Sequence, residues 1–272
     1  MAVTPTEKRA AFHALHRQGC FAIPNPWDVG SAIALEALGF KALASTSAGF
    51  AWSRGLPDGA VTRDEVLLHL SELAAAVEIP VNADFEGAFA VKPEGVAANV
   101  KLAVETGIAG LSVEDSTGDA AAPLFEFDLA VARIAAARSA IDASASDVLL
   151  TGRSEGFIRG RPELDETIRR LVAYSEAGAD CLYAPGIHTP EQIAEVVAAV
   201  APKPVNVLSP GLSVAAMEKL GVRRISVGGA LARAAWGGFY AAAREIAETG
   251  EFTLLAKGAS GRELNALFDK QA

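Results

Sequence analysis

The hydrophobic positions fall into short runs separated by longer amphipathic segments, and this alternation continues along the whole chain. Eight runs, each too short for a helix and rich in Val, Ile, Leu or Ala, predict buried strands. They begin near Cys20, Lys41, Pro80, Gly110, Asp147, Asp180, Lys203 and Arg223. The first and last starts are 203 residues apart, a mean of 29 per interval, which is the length of one strand–helix unit with short loops.

Between the strands, apolar residues recur with helical periodicity. Helices are predicted over 28–38, 62–77, 93–106, 127–143, 164–177, 189–200, 213–220 and 231–248, with further helices over 4–18 and 260–270. Residues typical of N-caps stand at the predicted starts: Asp28, Thr62, Thr189 and Ser213. Glycines suited to left-handed C-caps follow the predicted ends: Gly39, Gly107, Gly178 and Gly221.

This repeat predicts a single domain over residues 1–272, an α/β fold of the (β/α)8 TIM-barrel type. An N-terminal helix would occupy 1–19, the barrel 20–249 and an extra C-terminal helix 250–272. A doubly wound open sheet is the alternative, but Pro24-Asn25-Pro26-Trp27 after the first strand is not the glycine-rich turn of that fold. The connections 45–61 and 116–126 are longer than usual, which is typical of loops that carry function.

The amino-acid composition limits the binding partners and the cellular compartment that we expect for the protein. The formal charge of −9 argues against nucleic acid and anionic membrane surfaces, which select for basic patches. Neither a signal-peptide pattern nor an apolar stretch of ~18 residues is present, so we expect a cytoplasmic protein with no membrane partner. Two cysteines are too few for a disulfide framework or a Cys-rich zinc site, and both are expected to be small buried hydrophobes.

Carboxylates gather at the carboxyl ends of the predicted strands 2 to 5, the end where barrels hold their chemistry. Asp84 and Glu86 share one face after strand 3, Glu114 ends strand 4, Arg153 ends strand 5, and Asp58 closes the long second loop. Acids that converge in this way repel each other unless a cation lies among them, which predicts Mg²⁺ or Mn²⁺ held by oxygens and waters. Arg153 would then bind a substrate carboxylate. The alternative is that these are ordinary polar strand ends capping nearby helices.

The predicted mouth lacks the residues that a Schiff-base enzyme or a His-rich metal site would require. Lys41 and Lys203 open strands rather than end them, which argues against a Schiff-base enzyme. Only His188 among the four histidines lies at the predicted mouth, so a His-rich metal site is not expected. Gly228-Gly229 after strand 8 fits either a phosphate site or, with better odds, a tight turn.

Six short motifs occur in a fixed order along residues 20–235. They are Ser47-Ala48-Gly49, Leu56-Pro57-Asp58, Asn82-Ala83-Asp84-Phe85-Glu86-Gly87, Val113-Glu114-Asp115, Gly152-Arg153-Ser154-Glu155 and Pro204-Val205-Asn206-Val207. In this order the chain resembles the isocitrate lyase/phosphoenolpyruvate mutase superfamily. The combination of D-x-[DE]-G after strand 3, ED after strand 4 and R-x-E after strand 5 is its most specific part.

The resemblance implies an α/β barrel that binds Mg²⁺ and a small 2-oxo acid or its enolate. It implies Asp84 as the metal ligand, directly or through water, with Asp58, Glu86 and Glu114 holding the water shell. The implied substrate-binding residues are Ser47, Ala48, Gly49, Arg153 and Asn206. The implied catalytic residues are Arg153, Glu114 and Asp58. Family members tend to exchange their last helices between subunits, which implies a homodimer or homotetramer.

The chain departs from the family's motifs at two places, and each departure argues against one of the family's activities. The K-[KR]-C-G-H signature of isocitrate and methylisocitrate lyases is missing, because the stretch 115–123 contains no Cys, His or Lys. Phosphonate enzymes have a His at the end of strand 6, where this chain has Ala184. We therefore predict a Mg²⁺-dependent lyase that cleaves a C–C bond or decarboxylates a small 2-oxo acid or 2-hydroxy di- or tricarboxylate through an enolate. A non-catalytic 2-oxo-acid binder and a phosphorus–carbon bond enzyme are the alternatives, and the base stays open among Glu114, Glu155, His188, Tyr183 and a metal-bound water.

Overall fold

The computed structural model describes residues 3–209 and 211–269 of the chain. Within them, parallel strands form one sheet in the order β1-β8-β7-β6-β5-β4-β3-β2. The strands are β1 Phe21–Ile23, β2 Leu43–Ala44, β3 Val81–Asp84, β4 Gly110–Glu114, β5 Leu149–Arg153, β6 Cys181–Tyr183, β7 Val205–Leu208 and β8 Arg224–Ser226. Strands β1 and β2 stand at the two ends of this order, and the Ala44 amide donates to the Pro24 carbonyl at 3.0 Å, which brings the ends together. The barrel prediction is confirmed, and each predicted strand is present.

The helices enclose this barrel. They are α1 Pro5–Leu15, α2 Val29–Ala37, α3 Ser47–Ser53, α4 Arg63–Ala76, α5 Pro93–Glu105, α6 Phe127–Ala143, α7 Leu164–Glu176, α8 Pro190–Val200, α9 Val214–Lys219, α10 Ala230–Thr249 and α11 Gly261–Phe268. Single turns of 3-10 helix occupy Gly156–Arg159 and Thr253–Lys257. None of the helices in the described part of the chain is long and apolar enough to cross a membrane.

One element was not foreseen. The connection 45–61, interpreted from sequence as a long loop, contains α3. Seven residues, mostly small, are too few to show helical periodicity, and the helix begins because the Thr46 side chain accepts the Gly49 amide. This helix lines the mouth of the barrel, so it changes the picture of the site.

The expected caps are confirmed. The pairs Thr62–Glu65 and Thr189–Gln192 form reciprocal capping boxes, which satisfy free amides at the starts of α4 and α8. The glycines expected at helix ends all have positive φ, from 83° at Gly221 to 104° at Gly178.

Successive side chains of β3 and of the residue after it point alternately to the helix layer and to the barrel interior. Val81, Ala83 and Phe85 are almost fully buried and belong to the apolar layers between strands and helices, whereas Asn82 and Asp84 line the barrel interior. Of the two cysteines, Cys181 is fully buried as expected, but Cys20 is only partly buried because it precedes β1 at the rim.

The C-terminal segment returns to the barrel. Helix α11 packs against α2, and the Phe268 ring lies 3.6 Å from the point that a Cβ on Gly30 would occupy. The predicted C-terminal helix extends to Lys270, which lies outside the described residues, as do Met1 and Ala2 of the predicted N-terminal segment. Exchange of this helix between subunits, and the division of the chain as one domain, stay predictions.

Candidate active site

Two adjoining cavities open at the carboxyl ends of the strands. A cavity of about 260 Å³ enters the barrel and is lined by Ser47, Ala48, Asp58, Asp84, Arg153 and Asn206, among others. A cavity of about 700 Å³ lies beside it and is lined by Ser47, Asp58, Glu86, Glu114, Arg153 and Glu155, among others. The structure thus places all the residues expected at the site around one mouth except Gly49.

Asp84 connects three strands at this mouth. Its Oδ2 accepts the Ser47 amide at 3.0 Å, and its Oδ1 accepts Nη1 of Arg153 at 3.0 Å. Its own amide donates to Oγ of Ser45 at 2.8 Å. The carboxylate is therefore fixed by the start of α3 and the end of β5 before any ligand binds.

Arg153 lies at the centre of an acidic cluster. Besides Asp84, its Nη1 is 3.4 Å from Glu114 Oε2, and its Nε donates to Glu155. Its guanidinium carbon lies 5.1 Å from the centre of the Tyr183 ring. These carboxylates hold the pKa of Arg153 above its ordinary range despite burial, so the guanidinium stays charged.

Two of the acids are held partly protonated near neutral pH. Burial, followed by the nearby charges of Asp84 and Asp58, raises the pKa of Glu86 to about 7. Burial raises the pKa of Glu114 to about 8; the Arg153 charge opposes this shift, and the Glu155 charge adds to it. Negative charge on these two acids is thus disfavoured at the mouth unless a cation offsets it.

The charge balance indicates which group the site accepts. The outer cavity carries the carboxyl groups of Asp58, Glu86, Glu114 and Glu155 against the guanidiniums of Arg153 and Arg159. The inner cavity adds Asp84 and the guanidiniums of Arg224 and Arg233. Within 3–209 and 211–269, no three His, Cys, Asp or Glu side chains form a ready-made metal cage. An excess of oxygen donors without a closed cage fits a hard divalent ion that keeps several waters, as Mg²⁺ does.

The loop that carries Glu86 is held by a buried arginine that the sequence analysis did not single out. Arg133 of α6 is 1% exposed; its Nη2 donates to the Gly87 carbonyl at 2.6 Å, and its Nη1 to the Val91 carbonyl at 3.0 Å. Its guanidinium also stacks 4.0 Å from the centre of the Phe125 ring. The sequence offers one signal that could have identified Arg133: it is the single charged residue among the buried, mostly alanine and isoleucine, positions of α6.

Asp115, treated in the sequence only as part of the Glu-Asp pair, is a positioning residue. Its carboxylate accepts the Glu155 amide at 2.8 Å, the Tyr174 hydroxyl at 2.6 Å and Nη1 of Arg170 at 3.2 Å. Because neighbours on a strand point to opposite sides, Glu114 enters the mouth while Asp115 anchors β5 and α7.

Asn25 joins three strand ends in a similar way. Its Nδ2 donates to the Ser45 carbonyl at 2.8 Å, and its Oδ1 accepts the Val227 and Gly228 amides, both at 2.9 Å. The Gly228 amide is therefore used within the protein, and Gly228 has a positive φ of 52°. The turn interpretation of Gly228-Gly229 fits this geometry.

Two candidates, Gly49 and His188, lie apart from the acidic cluster, and a third, Tyr183, adjoins it. Gly49 is buried, and its amide donates to Thr46 rather than to the cavity. His188 is exposed, and its Nδ1 lies 3.0 Å from the Gly186 carbonyl. Tyr183 does line the inner cavity, and burial raises its pKa above the ordinary value.

Comparison with known proteins agrees with this geometry. The sequence profile described as phosphoenolpyruvate phosphomutase matches residues 12–247. An uncharacterized protein of Mycobacterium tuberculosis (strain H37Rv) is 34% identical over 94% of this chain and 95% of its own length. A candidate 2-methylisocitrate lyase of Corynebacterium glutamicum is 28% identical over 92% of this chain and 84% of its own.

Solved structures share the fold over nearly the whole chain. A candidate lyase/mutase from Burkholderia cenocepacia J2315 superposes with a TM-score of 0.95 and 48% identity, covering 97% of both chains. A phosphonopyruvate hydrolase in complex with oxalate and Mg²⁺ superposes with a TM-score of 0.84 and 25% identity, covering 99% of this chain and 96% of the other. A 2-methylisocitrate lyase, a lyase/mutase and a phosphonopyruvate hydrolase are thus named among the relatives and structural neighbours of the chain. The chain therefore belongs to the isocitrate lyase/phosphoenolpyruvate mutase superfamily.

Proposed function

We propose that the protein is a Mg²⁺- or Mn²⁺-dependent carbon–carbon lyase. Its substrate would be a small 2-oxo acid or a 2-hydroxy di- or tricarboxylate, cleaved or decarboxylated through an enolate. One observation carries the proposal: three carboxyl groups, those of Asp84, Glu114 and Glu155, surround the single guanidinium of Arg153 at the mouth of a superfamily barrel.

The acids at the mouth would hold the ion in two ways, by direct contact and through its bound waters. Asp84 would hold it directly or through water, and Asp58, Glu86 and Glu114 would accept hydrogen bonds from its waters. A bound divalent ion supplies positive charge that stabilises the oxygen of an enolate.

Groups on the opposite side orient the substrate. Arg153 presents a permanently charged planar fork to the substrate carboxylate. Ser47 and Ala48 line the cavity at the first turn of α3, where backbone amides and the helix dipole favour an anion. Asn206 is 1% exposed and adds an amide from β7 deeper in the barrel.

Glu114 is the group best placed to move a proton. It is almost fully buried at the end of β4, and in the chain without a metal burial raises its pKa to about 8. A neutral carboxylic acid beside Arg153 can return a proton to the carbon from which the leaving fragment departs. Glu155 is held by Arg153, Arg159 and the Asp115 contact to its amide, which suits positioning more than proton transfer.

A substrate panel tests the proposal. Oxaloacetate, isocitrate, 2-methylisocitrate and 2-hydroxy-2-methyl acids would be assayed with Mg²⁺ and with EDTA, for the wild type, Asp84→Ala and Asp64→Ala. We expect Mg²⁺-dependent product from at least one acid, lost in Asp84→Ala and kept in Asp64→Ala, which changes an exposed carboxylate on α4. Turnover that ignores the metal, or that survives Asp84→Ala, contradicts the mechanism.

A non-catalytic 2-oxo-acid binder of the same fold is the second candidate. It is favoured by the loop 115–123, which carries no Cys, His or Lys beside the cluster. Such a protein would be stabilised against heat by 2-oxo acids with Mg²⁺ but would form no product from any of them. The phosphorus–carbon alternative has less support, because the fully buried apolar Ala184 follows β6.

We further propose that the protein forms a homodimer or homotetramer through α10. Trp236, Phe239 and Tyr240 of this helix are 38%, 58% and 53% exposed and pack against each other as one aromatic surface. Light scattering of the intact chain would give a dimer or tetramer mass, reduced by Phe239→Glu. A monomer at micromolar concentration contradicts this proposal.

A further inference from the structure

Beneath the acidic mouth lies a second guanidinium, held by neutral groups alone. Arg224 opens β8 and is 3% exposed. Its Nε donates to Asn206 Oδ1 at 2.9 Å, its Nη2 donates to Thr151 Oγ1 at 3.0 Å, and its Nη1 lies 3.3 Å from Nε2 of His16. Burial and the Arg224 charge lower the pKa of His16 to about 3, so this histidine is neutral.

This arrangement differs from that of Arg153 and Arg170, which pair with acids, and from that of Arg133, which binds backbone carbonyls and does not line the inner cavity. Arg153 is paired with three carboxylates, and Arg170 is paired with Asp115 and Glu166. No carboxylate among residues 3–209 and 211–269 lies within ion-pair distance of Arg224. Buried charges in proteins are normally paired, because transfer of an unpaired charge out of water is costly.

Arg224 is also accessible from the mouth. It lines the cavity of about 260 Å³ that contains Asp84 and Arg153. A guanidinium has five N–H donors, and three contacts leave two for a ligand. A ligand that enters the cavity can therefore meet a cation at its inner end.

The surrounding wall is polar and incompletely satisfied. Asn82 is 4% exposed and lines the same cavity, and its Oδ1 has no hydrogen-bond partner. The hydroxyl groups of Ser112 and Ser226 lie on the wall as well. Such groups are expected where a polar ligand or its waters complete the hydrogen bonds.

Arg153 ends β5 whereas Arg224 opens β8, and both line the same cavity. Thr151, which contacts Arg224, and Arg153 both face inward from β5 and are two residues apart, which corresponds to about 6.6 Å along a strand. A ligand that contacts both arginines extends from the end of β5 toward the start of β8, and a short acid with a carboxylate at each end offers an anion to each of them. A 2-oxo acid with a single carboxylate leaves one of the two cations without an anion.

We propose that Arg224 binds the second carboxylate of the substrate and thereby selects 2-oxo dicarboxylates over 2-oxo monocarboxylates. The first carboxylate and the 2-oxo group remain at the mouth with Arg153. This assignment rests on the proposed function, because it takes the cavity as the substrate site. It names a specificity residue in the barrel interior, outside the motifs along the strand ends.

Pairs of acids with the same chain length test the assignment. Calorimetry in Mg²⁺ would compare 2-oxoglutarate with 2-oxopentanoate, and oxaloacetate with 2-oxobutanoate. For the wild type we expect each dicarboxylate to bind at least tenfold more tightly than its partner. Arg224→Gln should remove this preference and leave monocarboxylate affinity unchanged, and Arg224→Lys should restore part of it.

Arg223→Gln is the matched control, because the neighbouring side chain turns outward and donates to the Gly19 carbonyl. It should keep the wild-type preference. Equal binding of both classes by the wild type overturns the proposal without any variant, so a folding defect in Arg224→Gln does not block the test. An equal loss of affinity for both classes in Arg224→Gln assigns a structural role instead and also overturns it. If none of the acids binds the wild type in the presence of Mg²⁺, the result contradicts the proposed function as well as the proposed selectivity.

Discussion

The loop that presents Glu86 depends on one buried arginine, and its replacement is a quantitative test of the site's construction. Arg133→Met keeps most of the aliphatic volume and removes the guanidinium that binds the Gly87, Ala90 and Val91 carbonyls. Hydrogen bonds that involve a charged group contribute about 1.5–3 kcal/mol each, and the outer carbonyls can turn to water after the change. We expect a loss of about 3 kcal/mol in the free energy of unfolding, which for a chain of this size lowers Tm by about 5 °C.

Urea denaturation followed by circular dichroism measures this change directly. Arg169→Met is the control, since Arg169 also stacks on an aromatic ring, at 3.7 Å from the centre of Phe127, but pairs with Glu166 and has a side chain that is 54% exposed. Exposed pairs contribute about 1 kcal/mol or less. The reasoning is refuted if Arg133→Met destabilises the protein no more than Arg169→Met does.

Two further predictions concern packing and pH. Gly49→Ala would place a Cβ 2.6 Å from Thr46 Cγ2 and 3.0 Å from Trp27 Cβ, so we expect about 1–3 kcal/mol of destabilisation in urea denaturation; an unchanged midpoint would contradict this. Folding raises the pKa of Glu86 to about 7 and of Glu114 to about 8 from an ordinary 4.5, so the folded chain binds extra protons in this window. Stability in EDTA should fall as pH rises from about 5 to 8. Glu114→Gln should flatten this slope in a thermal-shift series, and a slope equal to that of the wild type would count against the raised pKa.

The fold could be predicted because its signals are local. Hydrophobic runs such as Gly110–Glu114 identify the strands, and caps such as Thr62 with Glu65 mark the helix starts. Helix α3 was missed because its seven residues are held by the Thr46 cap and by the tight approach of Gly49 rather than by an apolar stripe.

The acidic cluster could be predicted for a related reason. Parallel strands place their carboxyl ends at one edge, so Asp84, Glu114 and Arg153 had to meet. Which of the adjacent residues Arg223 and Arg224 enters the barrel depends on the pairing of β8 with β7 and with β1, and the pairing with β1 joins Phe21 to Arg224, some 200 positions apart. Arg133 was hidden in the same way, because its partners belong to the loop after β3.

The central claim is that the mouth around Asp84 binds a divalent ion together with a 2-oxo acid or its enolate. Oxalate resembles the enolate of a 2-oxo acid in shape and charge, so calorimetric titration of oxalate tests the claim most directly. The wild type should bind oxalate in Mg²⁺ and lose this binding in EDTA, and Asp84→Asn should lose at least 100-fold in affinity with Mg²⁺ present. Oxalate binding that is unchanged by EDTA and by Asp84→Asn would contradict the account.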